Sequence, residues 1–180
     1  MALLMPAKPR SAPRLSGPTI FREQVLLFRV GEEACALRIR GLWEVLLPEG
    51  VTMLPTPSYQ FCTALAYRGH RLPLIRMSEL FGVPMDRVPA TARVLLIRGS
   101  GRALGLLVDE VLGVDAVDPV RVVPLPALAT QLSPKLFRGC FGRQGRAVLL
   151  VDEDGLGGLD EVTQFSGPMA EPSGTDSRQA

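Results

Sequence analysis

Cysteine, lysine and histidine are all scarce in this 180-residue chain, and each scarcity removes a class of function. The three cysteines, Cys35, Cys62 and Cys140, are odd in number and far apart, and no Cys-x-x-Cys occurs. That spacing excludes a disulfide framework and a zinc site, and it fits a reducing compartment. Lysine occurs only as Lys8 and Lys135, so the basic charge is almost all arginine, and the formal net charge is just +2. Such a small excess makes no general electrostatic case for nucleic acid. Nowhere do about 18 uncharged apolar residues occur together, so no transmembrane helix is expected. The apolar run in "MALLMPAKPR" is too short for the core of a secretory signal.

Catalytic signatures are missing as well. There is no Gly-x-Ser-x-Gly elbow and no Gly-Lys-Ser/Thr phosphate loop. Gly99-x-Gly101-x-x-x-Gly105 departs from a dinucleotide fingerprint at Leu104, and it runs into a strand where the phosphate cradle needs a helix N-terminus. Asp152-Glu153-Asp154-Gly155 begins like a calcium loop, but its glycine comes too early and no bidentate glutamate follows at position twelve. It reads as a solvated turn after a buried strand. The single histidine, His70, lies in "AYRGHRLPLI" (66–75) with no triad pattern around it, and it reads as a solvated turn residue. A small hydrolase using Cys62 or His70 has no supporting motif. Asp109 is a strand-end residue whose carboxylate can close a hairpin by accepting from backbone amides.

What is present is apolar. Hydrophobic residues make up 47% of the chain and charged residues 21%. Residues 1–22 carry Pro6, Pro9, Pro13 and Pro18 and are expected to form a flexible tail, as is the end of the chain, 166–180. Between the tails, apolar runs of four to six residues are spaced by Gly and Pro, which argues for an all-β fold. In "ACALRIR" (34–40), Cys35, Leu37 and Ile39 alternate with Ala36, Arg38 and Arg40, the pattern of a strand with one wet face. "RVLLIR" (93–98) and "RALGLLV" (102–108) flank Gly99-Ser100-Gly101, a hairpin signal. "SELFG" (78–82) reads as one helical turn capped by Ser78 and ended by Gly82. Pro84 and Pro89 place a connector, and a boundary between two subdomains of the folded region 23–165, near 83–92. A nucleic-acid-binding double β-barrel is the alternative reading. Its best cluster is Phe137, Arg138, Phe141, Arg143 and Arg146, although the glycines between them look like turns.

Four segments then fall in a recognisable order: "FRVGEEACALRIRGLWEVL" (28–46), "YRGHRLPLIRMSELFG" (67–82), "GLLVDEVLGV" (105–114) and "FRGCFGRQGRAVLLVDEDGL" (137–156). Together they resemble the bacterial chemotaxis coupling (CheW) family, over about residues 25–160. The resemblance implies an all-β fold of two packed five-stranded SH3-like β-barrels with short helical segments. It implies no catalysis, no metal and no cofactor. It further implies an adaptor joining the regulatory domain of a chemotaxis-type histidine kinase to the cytoplasmic tip of a methyl-accepting chemoreceptor. No nucleic acid and no direct membrane insertion would be involved. The protein would be cytoplasmic and recruited to membrane receptor arrays. The same domain also ends the kinase itself, but no room for a kinase core exists here, so a stand-alone adaptor is expected.

In the family, the stretch around Arg68 reads Asn-Leu-Arg-Gly, three residues, Pro, two apolar residues, Asp. Arg68, Gly69 and Pro73 match. Gly69 would supply a backbone angle that side chains resist, and Pro73 would cap the next strand. Arg68 would then be presented to a partner, or else pair only with Glu44, which matches a family glutamate. Gly105, Val108 and Asp109 match a structural segment. Ala66 replaces the usual Asn and Arg76 the usual Asp, and a reversed charge costs affinity unless the partner changes too. Glu44, Arg68 and Arg76 are therefore the candidate partner-binding residues. A non-standard pathway, in motility or development, is the expectation that the Arg76 reversal raises.

Overall fold

Pairing of short strands organises the whole chain. The computed structural model describes residues 22–50, 52–59, 61–84, 87–125 and 134–164. The expectations for the two tails fall almost wholly outside these residues. In chain order the elements are β1 (Glu23–Val30), β2 (Glu33–Arg38), β3 (Leu42–Leu46), β4 (Thr52–Tyr59), β5 (Cys62–Tyr67), β6 (His70–Arg76), α1 (Met77–Leu80), β7 (Arg93–Gly99), β8 (Arg102–Val108), β9 (Glu110–Val117), β10 (Phe137–Arg143), β11 (Arg146–Val151), α2 (Glu153–Gly157) and α3 (Asp160–Thr163). They form a five-stranded sheet, β10-β11-β2-β1-β9, and a six-stranded sheet, β3-β7-β8-β6-β5-β4. The all-β architecture of two small sheets with few short helices is the one expected.

The sheets are not consecutive in sequence. Both ends of the described chain build the five-stranded sheet, and the middle builds the other. The chain crosses from one to the other at Ile39–Gly41 and back at Asp109. The connector at 83–92 joins α1 to β7 within the six-stranded sheet, so it does not divide the two sheets. The long pairing of β1 with β9, from Glu23 opposite Val117 to Arg29 opposite Glu110, ties the N-terminal strands to the C-terminal half.

Period-two alternation sends each central strand into two cores. Leu26, Phe28, Leu37, Leu95, Ile97, Leu104 and Leu106 meet in one shared core supplied by both sheets. The opposite faces of β7 and β8 give Val94, Leu96 and Leu107 to a second core with Leu65 and Leu74. The opposite faces of β1 and β2 give Val25, Leu27 and Ala36 to a third, with Phe141 and Leu150. Three cores in one small chain account for the high apolar fraction.

This arrangement overturns the expected wet face of β2. Ala36 is fully buried, and Arg38 is only 8% exposed. β2 lies between β1 and β11, so its second face is covered. The strand also ends at Arg38, and Ile39–Gly41 turn away as a short 3-10 helix. Two further expectations change. Ser78 does not cap α1: the capping position is Arg76, which makes no side-chain cap bond, and Ser78 is buried inside the helix. Asp152–Gly155 is not a solvated turn: the Asp152 carboxylate accepts from the Asp154 and Gly155 amides and starts α2. Glu153 is 2% exposed and pairs with Arg38. The β7–β8 hairpin is as expected, with Ser100 and Gly101 both at positive φ between the paired Gly99 and Arg102.

Candidate functional site

A two-residue turn joins β5 to β6, with Tyr67 paired to His70. Its central residues, Arg68 at φ 47° and Gly69 at φ 79°, are both left-handed. Such a turn matches the twist of the flanking strands, but it usually has Asn or Asp before the Gly. Arginine is costlier there, and its side chain is held by what surrounds it. The guanidinium lies 4.9 Å over the Tyr67 ring, and its Nη2 is 3.4 Å from Glu44 Oε2. The Tyr67 hydroxyl donates to the same Glu44 oxygen. Burial first, and then the Glu44 acceptor and its charge, push the Tyr67 phenol up to about 12, so it stays a neutral donor.

Glu44 reaches this hairpin from β3, at the far end of the six-strand order, so the sheet curls round on itself. The second core fills the curl, with Trp43 and Leu46 packed against it. The result is a carboxylate and a guanidinium fixed at the rim. The Arg68 side chain remains 46% exposed. Val45 of the edge strand and Leu47 just after its end are exposed. An edge strand with open backbone groups, exposed apolar residues and a fixed ion pair has the features of a docking surface.

The third candidate is elsewhere. Arg76 ends β6 and Arg68 precedes its start, so the strand separates them by about 20 Å. Arg76 Nη2 lies 2.8 Å from Glu79 Oε2 on the first turn of α1. Glu44 and Arg68 thus come together, and Arg76 does not join them. Pro73 is buried within β6 opposite Ala64 rather than at its start, one residue before the parallel pairing to β8 begins at Leu74. A missing N–H there breaks no β6–β8 bond. Gly105 is structural: an added Cβ would sit 2.7 Å from Leu65 and 2.8 Å from Leu74. Asp109 does accept a backbone amide, but from Gly31 in the β1–β2 turn, at 2.7 Å.

The other chemistries find no geometry. Cys62 sits opposite Ile75, while His70 sits opposite Tyr67 at the other end of the ladder. Burial pushes the Cys62 thiol up to about 11, which leaves almost no thiolate at neutral pH. His70 is exposed at the turn. In the basic-aromatic cluster, Phe137 and Phe141 are buried in the cores and offer no stacking face. Arg138 is engaged by Asp152 at 3.1 Å and by Glu153 at 3.5 Å, and Arg143 by Asp115 at 2.7 Å. The nucleic-acid reading therefore loses both its aromatics and most of its charge. Among the described residues, no group of three or more His, Cys, Asp or Glu is placed to hold a metal ion.

Tyr67 is the member of this site that the turn motif alone does not single out. Its signal was the pairing of an aromatic with an arginine at the closing position of a hairpin.

Comparison with known proteins agrees with this architecture. Residues 24–159 match the model of the CheW-like domain. A chemotaxis protein CheW of Rhizobium meliloti (strain 1021) is 24% identical over 133 residues, covering 74% of this chain and 86% of that protein. A probable chemotaxis protein CheW of Rhizobium etli is 26% identical over 136 residues, covering 74% of this chain and 86% of that protein. The crystal structure of the scaffolding protein TtCheW from Thermoanaerobacter tengcongensis superposes with a TM-score of 0.69 at 21% identity, covering 78% of this chain and 96% of that one.

Proposed function

Because this chain belongs to the CheW-like domain family, we propose that it is a non-catalytic adaptor. It holds the cytoplasmic tip of a chemoreceptor beside the regulatory domain of a chemotaxis-type histidine kinase. The observation that carries this reading is the Glu44–Tyr67–Arg68 cluster: a polar grip, preset by a strained turn, on an edge with exposed apolar residues and no nucleophile nearby. A planar guanidinium held in place suits a carboxylate or carbonyl on a partner at low ordering cost. No helix among the described residues is long and apolar enough to cross a membrane; in this reading, recruitment to receptor arrays runs through the partners.

Arg76 stands where the family usually has Asp, and its pairing with Glu79 softens the reversal. Its changed charge favours a kinase or receptor that carries a compensating change, hence a specialised motility or developmental pathway.

Calorimetry of the full chain against a kinase regulatory domain and against a receptor-tip fragment tests the adaptor reading. Binding is expected to each, over interfaces of about 1,000–1,600 Å²; heat from neither titration overturns it. Arg68→Ala is expected to weaken one partner by about tenfold, as for a rim-to-core interface arginine. Its melting temperature should move little, because the side chain is half-exposed. Arg68→Asn, which suits the same turn, should lose the same affinity and keep the fold. Unchanged affinity for both partners retires the role given to Arg68.

A further inference from the structure

The five-stranded sheet does not close. Its edge strands, β9 and β10, have no ladder between them. Arg143 Nε donates to Asp115 Oδ2 across the seam at 2.7 Å. Further along, among the described residues, the isolated pairing of Val123 with Cys140 links β10 to the chain after β9. Between these ties lies an open cleft of about 460 Å³, within the size range of small-ligand sites. Three arginines line it, Arg22, Arg121 and Arg143, together with Asp115 and Asp118.

Both carboxylates already accept bonds, Asp115 at both oxygens and Asp118 at one. Asp115 takes Arg143 and the Ala116 amide, and these bonds, with the charge of Arg143 and of nearby Arg22, hold its carboxyl below the usual range. Asp118 accepts from the Val120 amide and caps the short 3-10 helix Pro119–Arg121. Arg22 and Arg121 are exposed, and neither side chain makes an ion pair or hydrogen bond with a described residue. The cleft therefore carries three guanidinium groups against two carboxylates, and two of the forks, Arg22 and Arg121, have no hydrogen-bond acceptor among the described residues. One carboxylate satisfies one fork. A phosphate monoester presents three oxygens about a single centre and can satisfy both.

We infer that the seam between β9 and β10 binds a small phosphate monoester, its oxygens taken by Arg22 and Arg121. The rest of the cleft is left for the organic body that carries it. This site belongs to the five-stranded sheet, whereas Glu44 and Arg68 stand on the other, so the inference does not rest on the adaptor reading.

The test is a nitrogen-15 NMR titration of the full chain at low ionic strength with inorganic phosphate, with O-phosphoserine and with succinate, alongside thermal melts with the same compounds. Saturable shifts at the amides of Ala116, Val117 and Gly142, with a raised melting temperature, are expected for phosphate and phosphoserine. Arg22→Gln/Arg121→Gln should weaken both ligands by at least about tenfold, while Arg87→Gln, an exposed arginine elsewhere, should not. Melts without ligand check that the double variant is folded. Non-saturating shifts, equal affinity in the folded double variant, or succinate binding more tightly than phosphoserine each overturn the assignment.

Discussion

Glu153→Gln is expected to lower the unfolding free energy by about 3–5 kcal/mol, the usual result of breaking a buried ion pair from one side. The geometry sets this size. Arg38 Nε donates to Glu153 Oε1 at 3.1 Å, and its Nη2 to Oε2 at 2.5 Å, a fork meeting a carboxylate. Burial alone would lower the Arg38 pKa; the bond to Glu153 and its charge outweigh that, and the net shift is upward. Glutamine has the same shape but can accept at only one of the two oxygen positions. It leaves the guanidinium without its nearest counter-charge and with little water to solvate it, since Glu23 and Asp152 act only from further off. Arg138, whose Nε stands 3.5 Å from Glu153, cannot substitute for the lost charge because it is a cation as well. Urea unfolding of the wild type, Arg38→Met, Glu153→Leu and Arg38→Met/Glu153→Leu, with Glu153→Gln alongside, measures the coupling. The apolar double variant should recover most of the loss, since a buried pair is worth little against well-packed hydrophobes of similar volume. A single-variant cost below about 1 kcal/mol would show that water reaches the pair and that it does not fasten α2 to β2.

Gly99→Ala should be nearly as damaging, at about 3 kcal/mol or more, for a wholly different reason. A Cβ on Gly99 would fall 1.9 Å from the Glu153 carbonyl oxygen, and one on Gly157 would fall 2.3 Å from the Gly99 carbonyl oxygen. The two backbones touch where α2, at the end of the five-stranded sheet's chain, packs on β7 of the six-stranded sheet. Backbone has no rotamer to yield, so α2 must lift away, and the bonds from the Ser100 amide to Asp154 Oδ1 and from the Ser100 hydroxyl to the Asp154 carbonyl go with it. Gly157→Ala should match it. Gly142→Ala is the control, because its Cβ would meet no atom within 4 Å, and a change within about 0.5 kcal/mol is expected. Denaturant midpoints for the three variants decide the matter; a well-tolerated Gly99→Ala would mean that α2 does not sit on β7.

Local signals were legible wherever the structure depends on neighbours in sequence. The β7–β8 hairpin follows from Gly99-Ser100-Gly101, and the turn at Arg68-Gly69 from its glycine. Asp152 was visible as a turn-forming acid, and it caps a helix, the same chemistry in a different element. Period two was legible too, but its meaning was not. Alternation in 34–38 says that successive side chains face opposite ways; it cannot say whether the second face meets water or another core. β2 is central in its sheet, so Ala36 and Arg38 are covered. At the site, Glu44 and Arg68 were both singled out, but their meeting, with Tyr67 between them, depends on a sheet that curls until its edge strand reaches the β5–β6 hairpin.

By itself the sequence determined an all-β chain of short strands, free of nucleophile, metal and membrane-span signatures, with the family's ordered segments in place. These follow from composition, alternation and turn residues, which act over a few positions. Tertiary structure alone decided which strands share a sheet, that Arg38 finds Glu153 across 115 positions, that Gly99 and Gly157 bring two backbones together, and that the five-stranded sheet leaves an arginine-lined seam. Each of those depends on what the folded chain brings near after it has crossed between sheets, and no local pattern carries the distance between residues so far apart.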